Sequence, residues 1–585
     1  NTYNFTANGN PRTVKIQNGS GPTGVAVNGE EVAYGPANPP AAGWNYDAAS
    51  RKLSLTGAGP FTLSGANEVG AVCVEVQSSV AGTVTLSNLT LRTSSDKCVF
   101  TLGTGANVSL VLAGANSLVS GLNSPGILVE QGQTLSITNA PGDDAASLSS
   151  TGGGNAAGIG GGRRKVGGTV NILGGAVTAV GGSCGAGIGG GGSYGDGGAK
   201  GGTVNISGGT VTAQGGNYAA GIGGGGGGYN SNGGDGGTLT VNGGDVTATG
   251  GKEGAGIGGG NGSSGGTVTI NSGTVTATGG DEGAGIGSGI NRGGVPSGGK
   301  VTINGGQVAA MGINGGAGIG GGKGASAATV KIAGGTIFAQ GADGNDIGKG
   351  ANYGTGGGSN IFTGGTISLA NASIYPNPTD GTERVWRAKV SGFAPHVAVM
   401  IAGLDPYGVN DLFADAEGIV HLWLPNGSYN FTANGTHYKV KVRDGLDPLG
   451  VTVNGEDVLY GPEESTGWSY NTTNRTVSLF GTGPFTVAGA NETDGICIVV
   501  PAGVTNEVTL SDLTLKATGD DQCAFALGTN ACVSLLLAGA NTLASGTNRA
   551  GLEVAFGRTL SITNAPGDDA GALAVTGGGF GAGIG

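Results

Sequence analysis

The stretch from Gly298 to Gly324, GGKVTINGGQVAAMGINGGAGIGGGKG, returns in close variants seven times along the chain. No other feature constrains the fold as much, because glycine loses more conformational freedom on ordering than any other residue. With 134 glycines among 585 residues, the folded state must recover that entropy through some cooperative arrangement. A phosphate loop does not account for the phrase. Such a loop needs Gly, four residues, then Gly-Lys-Ser/Thr opening a helix, whereas Gly322-Lys323 is followed by Gly324 and the position five before Gly322 is Ala317.

The phrase has a template, T-φ-T-φ-N-G-G-T-V-T-A-T-G-G-x-x-G-A-G-I-G-G-G, followed by a variable loop. Its AGIG isoleucines are Ile159, Ile188, Ile222, Ile257, Ile286, Ile319 and Ile347, spaced 28 to 35 residues apart. The TVTI-like element recurs at Val170, Val204, Leu239, Val268, Val301, Val330 and Ile361, and versions poorer in glycine precede it from Thr83, Val108 and Thr134. Alternation of period two marks strands, with Asn-Gly-Gly and Gly-Gly supplying corners of positive φ. Strands this short cannot bury a face alone, and no helical pattern is present to cover them. Stacking successive coils covers them, so the expected fold is all-β: a right-handed, three-sided parallel β-helix of about ten coils. At about 4.8 Å per rung it would be roughly 48 Å long. Ala284 and Ile286 of each AGIG phrase are expected to point inward and the glycines outward, leaving a third wall that is either a flat packing surface or a glycine-rich turn region.

A larger repeat lies over the small one. YNFTANG at Tyr3–Gly9 returns at Tyr429–Gly435. The stretch GWNYDAASRKLSLTGAGPFTLSGANE from Gly43 returns as GWSYNTTNRTVSLFGTGPFTVAGANE from Gly467, and SITNAPGDDA at Ser136–Ala145 returns at Ser561–Ala570. The offset of 424 to 426 residues throughout predicts tandem units, and the chain reads as a window on a longer array. The expected organisation is the end of a β-sandwich spacer over 1–18, a β-rich leader or cap over 19–66, a β-helix over 67–375, a spacer over 376–443, a second leader over 444–491 and a second β-helix from 492 to 585. Trp386, Phe393, Met400 and Trp423 are expected to form the core of the spacer.

Composition then limits function. Charged residues make up 11% of the chain, aromatics 5%, and the net charge is −12, which speaks against nucleic acid. The one basic cluster, Arg163-Arg164-Lys165, reads as an exposed loop. There is no apolar run long enough to span a membrane. Low charge with abundant Thr, Asn, Ser and Gly suits an extracellular protein. Parallel β-helices include pectin-cleaving enzymes with clustered carboxylates, but the three histidines, His396, His421 and His437, fall outside the coils. The acidic pair Asp143-Asp144, repeated as Asp568-Asp569, sits in a Pro-Gly turn, where such residues cap local backbone or hold calcium. No catalytic, cofactor or metal residue is assigned, and the chain reads as non-enzymatic.

Outward threonines at Thr178, Thr212, Thr247 and Thr276 form a column of the kind that suits ice binding. The column continues as Ala309, Phe338 and Ser368, and Lys300 and Lys331 interrupt its neighbour, so β-propensity explains it. Tyr194, Tyr218, Tyr229 and Tyr353 lie in variable loops and are candidate glycan contacts. Solvated loop tips are the alternative. Cys73 and Cys98 recur as Cys497 and Cys523, about one turn of the fold apart in each unit, and are candidate disulfides. The parity of Val72, Val74 and Val76 turns Cys73 outward, while Cys98 shares the inward parity of Phe100. Free structural thiols are the alternative.

The stretches GAGIGGG at Gly254–Gly260 and GGTVTINSGTVTATGG at Gly265–Gly280, with the GW and GPF leaders, resemble large secreted surface proteins of anaerobic and gut bacteria. These carry tandem β-helix repeats and are often labelled as containing carbohydrate-binding domains. The resemblance covers about 67–375 and 492–585 and implies a cell-surface or extracellular location. It supplies no catalytic residues. The leading expectation is a non-enzymatic fibre, stalk or sheath, self-associating end to end or laterally. The alternative is an adhesin that binds polysaccharide.

Overall fold

A computed structural model describes residues 2–585 apart from 8–9, 16–21, 37–41, 70–71, 229–230, 353–356, 364, 371–373, 375, 405–411, 444–448 and 462–466. The chain divides into two compact units, residues 1–425 with 430–439, and residues 426–429 with 440–585.

The first unit is a right-handed parallel β-helix with three walls. From the third turn on, each turn contributes one strand to each wall, while in the first turns one strand such as Ala81–Arg92 serves two walls; strands pair in parallel with their counterparts one turn on. In the wall built from AGIG phrases the inward residues are Leu53, Val74, Phe100, Ile127, Ile159, Ile188, Ile222, Ile257, Ile286, Ile319 and Ile347. That is eleven turns where about ten were expected. The first turn is made by Lys52–Leu55 and Phe61–Asn67, inside the segment read from sequence as leader. Its outer edge is covered by antiparallel strands, Trp44–Asp47 on one wall and Val25–Val27 on another, so the ladder of unpaired backbone groups is closed at this end.

Register follows the side chains. Val170, Val204, Leu239, Val268, Val301 and Val330 stack on the TVTI wall, and Val177, Val211, Val246, Val275, Val308 and Ile337 on the TVTAT wall. All of these are buried in one continuous apolar core, each contributing on the order of 1.5–3 kcal/mol. The last rung departs from expectation. Asn360, not Ile361, pairs with Val330, because period-two parity puts Phe362 in the core. Asn360 is buried and donates from Nδ2 to the Pro376 carbonyl at 2.7 Å. Phe362 meets Trp423 edge to face, with centroids 5.1 Å apart, so a spacer tryptophan closes this end of the helix.

The spacer's core therefore differs from the expected one. Trp423 belongs to the β-helix core, Trp386 is half-buried beneath the Arg384 guanidinium 3.6 Å from its ring centre, and Met400 is 78% exposed. Val399 faces inward and alternation turns Met400 out. The buried residues are instead Val390, Leu412, Val420, Leu422, Leu424 and Phe431, from short antiparallel pairings such as Trp386–Val390 with Val420–Leu424.

The glycine wall is also built differently. The isoleucines face the core, but the flanking glycines are buried as well, because each turn's loop folds back over the wall. Gly191 N–H donates to Lys165 O at 3.0 Å, and Gly225 N–H to Ala199 O at 3.0 Å. The wall is thus a stack of turns with backbone on both sides, not an exposed flat surface. Ala284 and its equivalents are buried between wall and loops, outside the central core. Glycine is required here for two reasons. Gly223, Gly258 and Gly287 have φ of 138°, 135° and 147°, and a β-carbon on each would overlap the carbonyl oxygen of the next rung's glycine.

The second unit repeats the entry. Val451–Val453 pairs antiparallel with Phe485–Asn491, Trp468–Asn471 with Thr476–Leu479, and the parallel series runs through Cys497–Val500, Phe525–Leu527 and Leu552–Glu553.

Candidate glycan-contact face and cysteine pairs

The variable loops of the first unit stack on the side of the glycine wall. The position three residues before each AGIG glycine–isoleucine pair is filled in successive turns by Asn155, Cys184, Tyr218, Glu253 and Glu282, so one column carries the chemistry that the glycines lack. Tyr218 meets Tyr194 edge to face, with centroids 6.1 Å apart. Tyr194 is 62% exposed. Burial, then the neighbouring Tyr194 and Glu253, hold the Tyr218 phenol above its ordinary ionisation range. One turn further on, Glu253 is only 5% exposed and its carboxylate accepts from Arg292, Nε–H lying 3.0 Å away. Glu282 pairs with Lys323 in the same manner.

The loop between them is held by Asn261, fully buried, whose Nδ2 donates to Gly228 O and Ser231 O and whose Oδ1 accepts from Gly227 N–H. Two of the four candidate tyrosines are therefore brought together beside an ion pair on a rigid base. Tyr229 and Tyr353 lie outside the described residues. An exposed ring with flanking hydrogen-bonding groups can stack on a sugar face and bond its hydroxyls.

The other candidate residues are placed as follows. Asp143 accepts from Gly114 N–H at 2.7 Å, and Asp568 from Gly539 N–H at 2.7 Å, bracing a corner one turn away. Among the described residues there is no group of three metal-capable side chains. Arg164 is exposed and pairs with Asp196 at 3.1 Å. The threonine column has the expected register, Thr178, Thr212, Thr247, Thr276, Ala309, Phe338, Ser368.

His421 is buried and 2.8 Å from the Asp415 carboxylate. Burial lowers its ionisation range and the carboxylate only partly opposes this. An open groove of about 420 Å³ in the spacer is lined by Phe431, His437, Tyr438 and Ala402, with Phe393, Tyr438 and Phe431 stacked at 5.6 and 5.8 Å. Phe431 and Tyr438 come from the consecutive strands Gly427–Ala433 and Thr436–Val442, and Phe393 joins them from a loop earlier in the chain.

All six cysteines are thiols. Cys497 and Cys523 are buried with their sulfurs 3.7 Å apart. Cys98 is half-buried and donates to Phe100 O at 2.9 Å and Pro125 O at 3.0 Å, and Cys73 is half-buried on the neighbouring rung.

Sequence comparison agrees with this architecture. Residues 170–192, 204–226, 239–261, 268–290 and 301–323 match the family model described as beta helix repeat. Each match starts on the TVTI wall, crosses the TVTAT wall and ends four residues past the AGIG isoleucine, at the start of the variable loop. No curated protein and no solved structure matches the chain. No helix among the described residues is long and apolar enough to cross a membrane. Fold and repeats together make this a parallel β-helix protein.

Proposed function

We propose that the chain is a non-enzymatic extracellular structural element, a stiff segment of a fibre, stalk or sheath that associates end to end or laterally. One observation carries this reading: eleven turns stack in register, and the last eight place isoleucine over isoleucine on the AGIG wall. An axial load would then fall on parallel backbone ladders around a dry core. Asparagine side chains add a second ladder outside, Asn304 to Asn271 at 2.8 Å and Asn271 to Asn242 at 2.7 Å. Electron microscopy of the native extracellular material tests the proposal. Ordered filaments or sheets with an axial period assignable to one unit of about 425 residues support it. Isolated strings without order would remove the assembly role.

The Tyr194–Tyr218 pair favours a second reading, an adhesin whose loop face holds polysaccharide. Saturable retention on an insoluble glycan, lost in a Tyr194→Ala, Tyr218→Ala variant that keeps its circular dichroism, supports it. Equal retention of variant and parent would remove it.

A further inference from the structure

The second unit contains a pair of side chains that the mechanical reading does not use. Ile498 pairs with Phe525 across neighbouring rungs, which sets Cys497 opposite Ala524 with Cys523 one residue earlier. The two sulfurs face each other at 3.7 Å, and both residues are buried. A disulfide bond is about 2.05 Å long and joins α-carbons about 4.4–6.8 Å apart, a range that includes the one-residue diagonal across neighbouring rungs, about 5.8 Å for a spacing of about 4.8 Å and a rise of about 3.3 Å per residue. The remaining approach is within reach of side-chain rotation.

We propose that Cys497 and Cys523 are a covalent modification site, closing into a disulfide that staples two rungs near the entry of the second β-helix when the chain meets a peroxide. Either sulfur can donate in the contact between them; with Cys497 as donor, the Cys523 thiol is drawn below its usual range although burial opposes it. Serving as that donor, together with burial, pushes Cys497 up. Arg549 lies beside Cys523 and is itself paired with Glu553. Cys523 is therefore the attacking sulfur.

Its thiolate attacks one peroxide oxygen, the O–O bond breaks, and the departing hydroxide takes a proton to become water. Cys497, deprotonated, then attacks the sulfenic sulfur; the S–O bond breaks, the S–S bond forms, and the second hydroxide leaves as water. Two thiols lose two electrons and one peroxide becomes two waters. A peroxide is the oxidant class that fits, since the burial leaves little room for a bulky disulfide.

The first unit supplies an internal comparison. Ser124 and Leu128 stand at the positions of Arg549 and Glu553, and the Cys98 thiol is engaged by the Phe100 and Pro125 carbonyls. The second pair should close first.

The test uses the purified full chain treated with stoichiometric hydrogen peroxide, unfolded in iodoacetamide, digested and mapped by mass spectrometry. The expected result is one peptide pair linking Cys497 to Cys523, lighter by two hydrogens than its parts, with Cys184 and Cys532 alkylated. In Cys523→Ser, which is close to isosteric, Cys497 is expected to be fully alkylated. Alkylation of both Cys497 and Cys523 in the oxidised parent with its circular dichroism intact overturns the assignment, as does a cross-link of Cys497 that survives in Cys523→Ser. The mapping is made on soluble chain, so its result is independent of whether the protein forms fibres.

Discussion

Replacing Gly258 by alanine tests the account of the glycine wall most directly. Gly258 has φ of 135°, a region that side-chain-bearing residues rarely adopt, and this alone costs of order 1–3 kcal/mol. An added β-carbon would overlap the Gly287 carbonyl oxygen and lie 2.9 Å from its carbon and 3.1 Å from Gly265 O. These neighbours are backbone held in a ladder, so relief requires the rung to open, adding about 1–3 kcal/mol as overpacking usually does. The sum is about 2–6 kcal/mol, placed locally at the turns around Ile257 and Ile286. Gly294→Ala is the control, since nothing lies within 4 Å of a β-carbon there and its φ is ordinary. A neutral or slightly stabilising effect, up to about 1 kcal/mol, is expected for it.

Hydrogen exchange of the native full chain, read on peptides covering 250–290, measures the local opening free energy. Gly258→Ala should speed exchange there by roughly thirtyfold or more, since about 1.4 kcal/mol is tenfold. If Gly258→Ala and Gly294→Ala exchange alike, glycine is present for loop solubility and the steric argument fails.

Asn116 and Asn541 are buried at the same corner of the two units. Each accepts from the backbone one turn back, Leu89 or Leu513 at 2.9 Å, and donates to three carbonyls. Asn116→Ala and Asn541→Ala should each cost about 3 kcal/mol, the penalty for orphaning buried backbone groups, measured by urea unfolding of each variant. A loss below about 1 kcal/mol in both would contradict the bracing role.

The His421 imidazole should make the spacer acid-sensitive. Its folded-state value lies below the usual 6.5, with burial the main cause, so the unfolded chain binds the proton more readily. The stability is then present above about pH 6.5 and is lost as pH falls through the lower, folded value. Tryptophan fluorescence in urea against pH should show this slope, and His421→Gln should flatten it; an unchanged slope would contradict it. Glu253→Gln should remove the carboxylate that accepts from Arg292 and cost about 1–3 kcal/mol after allowance for partial exposure of the guanidinium. Thermal unfolding checks this, with no change as the contrary result.

The strand pattern was legible in the residues because its period is local. A one-residue slip turns every Val and Ile of TVTI outward, and the threonine column from Thr178 to Ser368 could be written down without coordinates. The same rule reached its limit at the last rung, where Ile361 and Asn360 exchange roles because Phe362 is the larger apolar group and claims the core. Met400 and Trp423 show a related limit, since alternation gives a strand two faces but does not say which one meets a neighbour.

By itself the sequence determined the all-β, coil-stacking architecture, the inward columns and the tandem offset, all consequences of short-range alternation and repetition. Only the tertiary structure decided what covers the glycines. Backbone packs on backbone there, and that contact depends on φ angles and carbonyl positions of the next turn, which no side-chain pattern encodes. The same holds for the candidate sites. Tyr194 with Tyr218, Glu253 with Arg292 and Cys497 with Cys523 lie 24 to 39 residues apart and meet because each coil returns the chain to the same place one rung on.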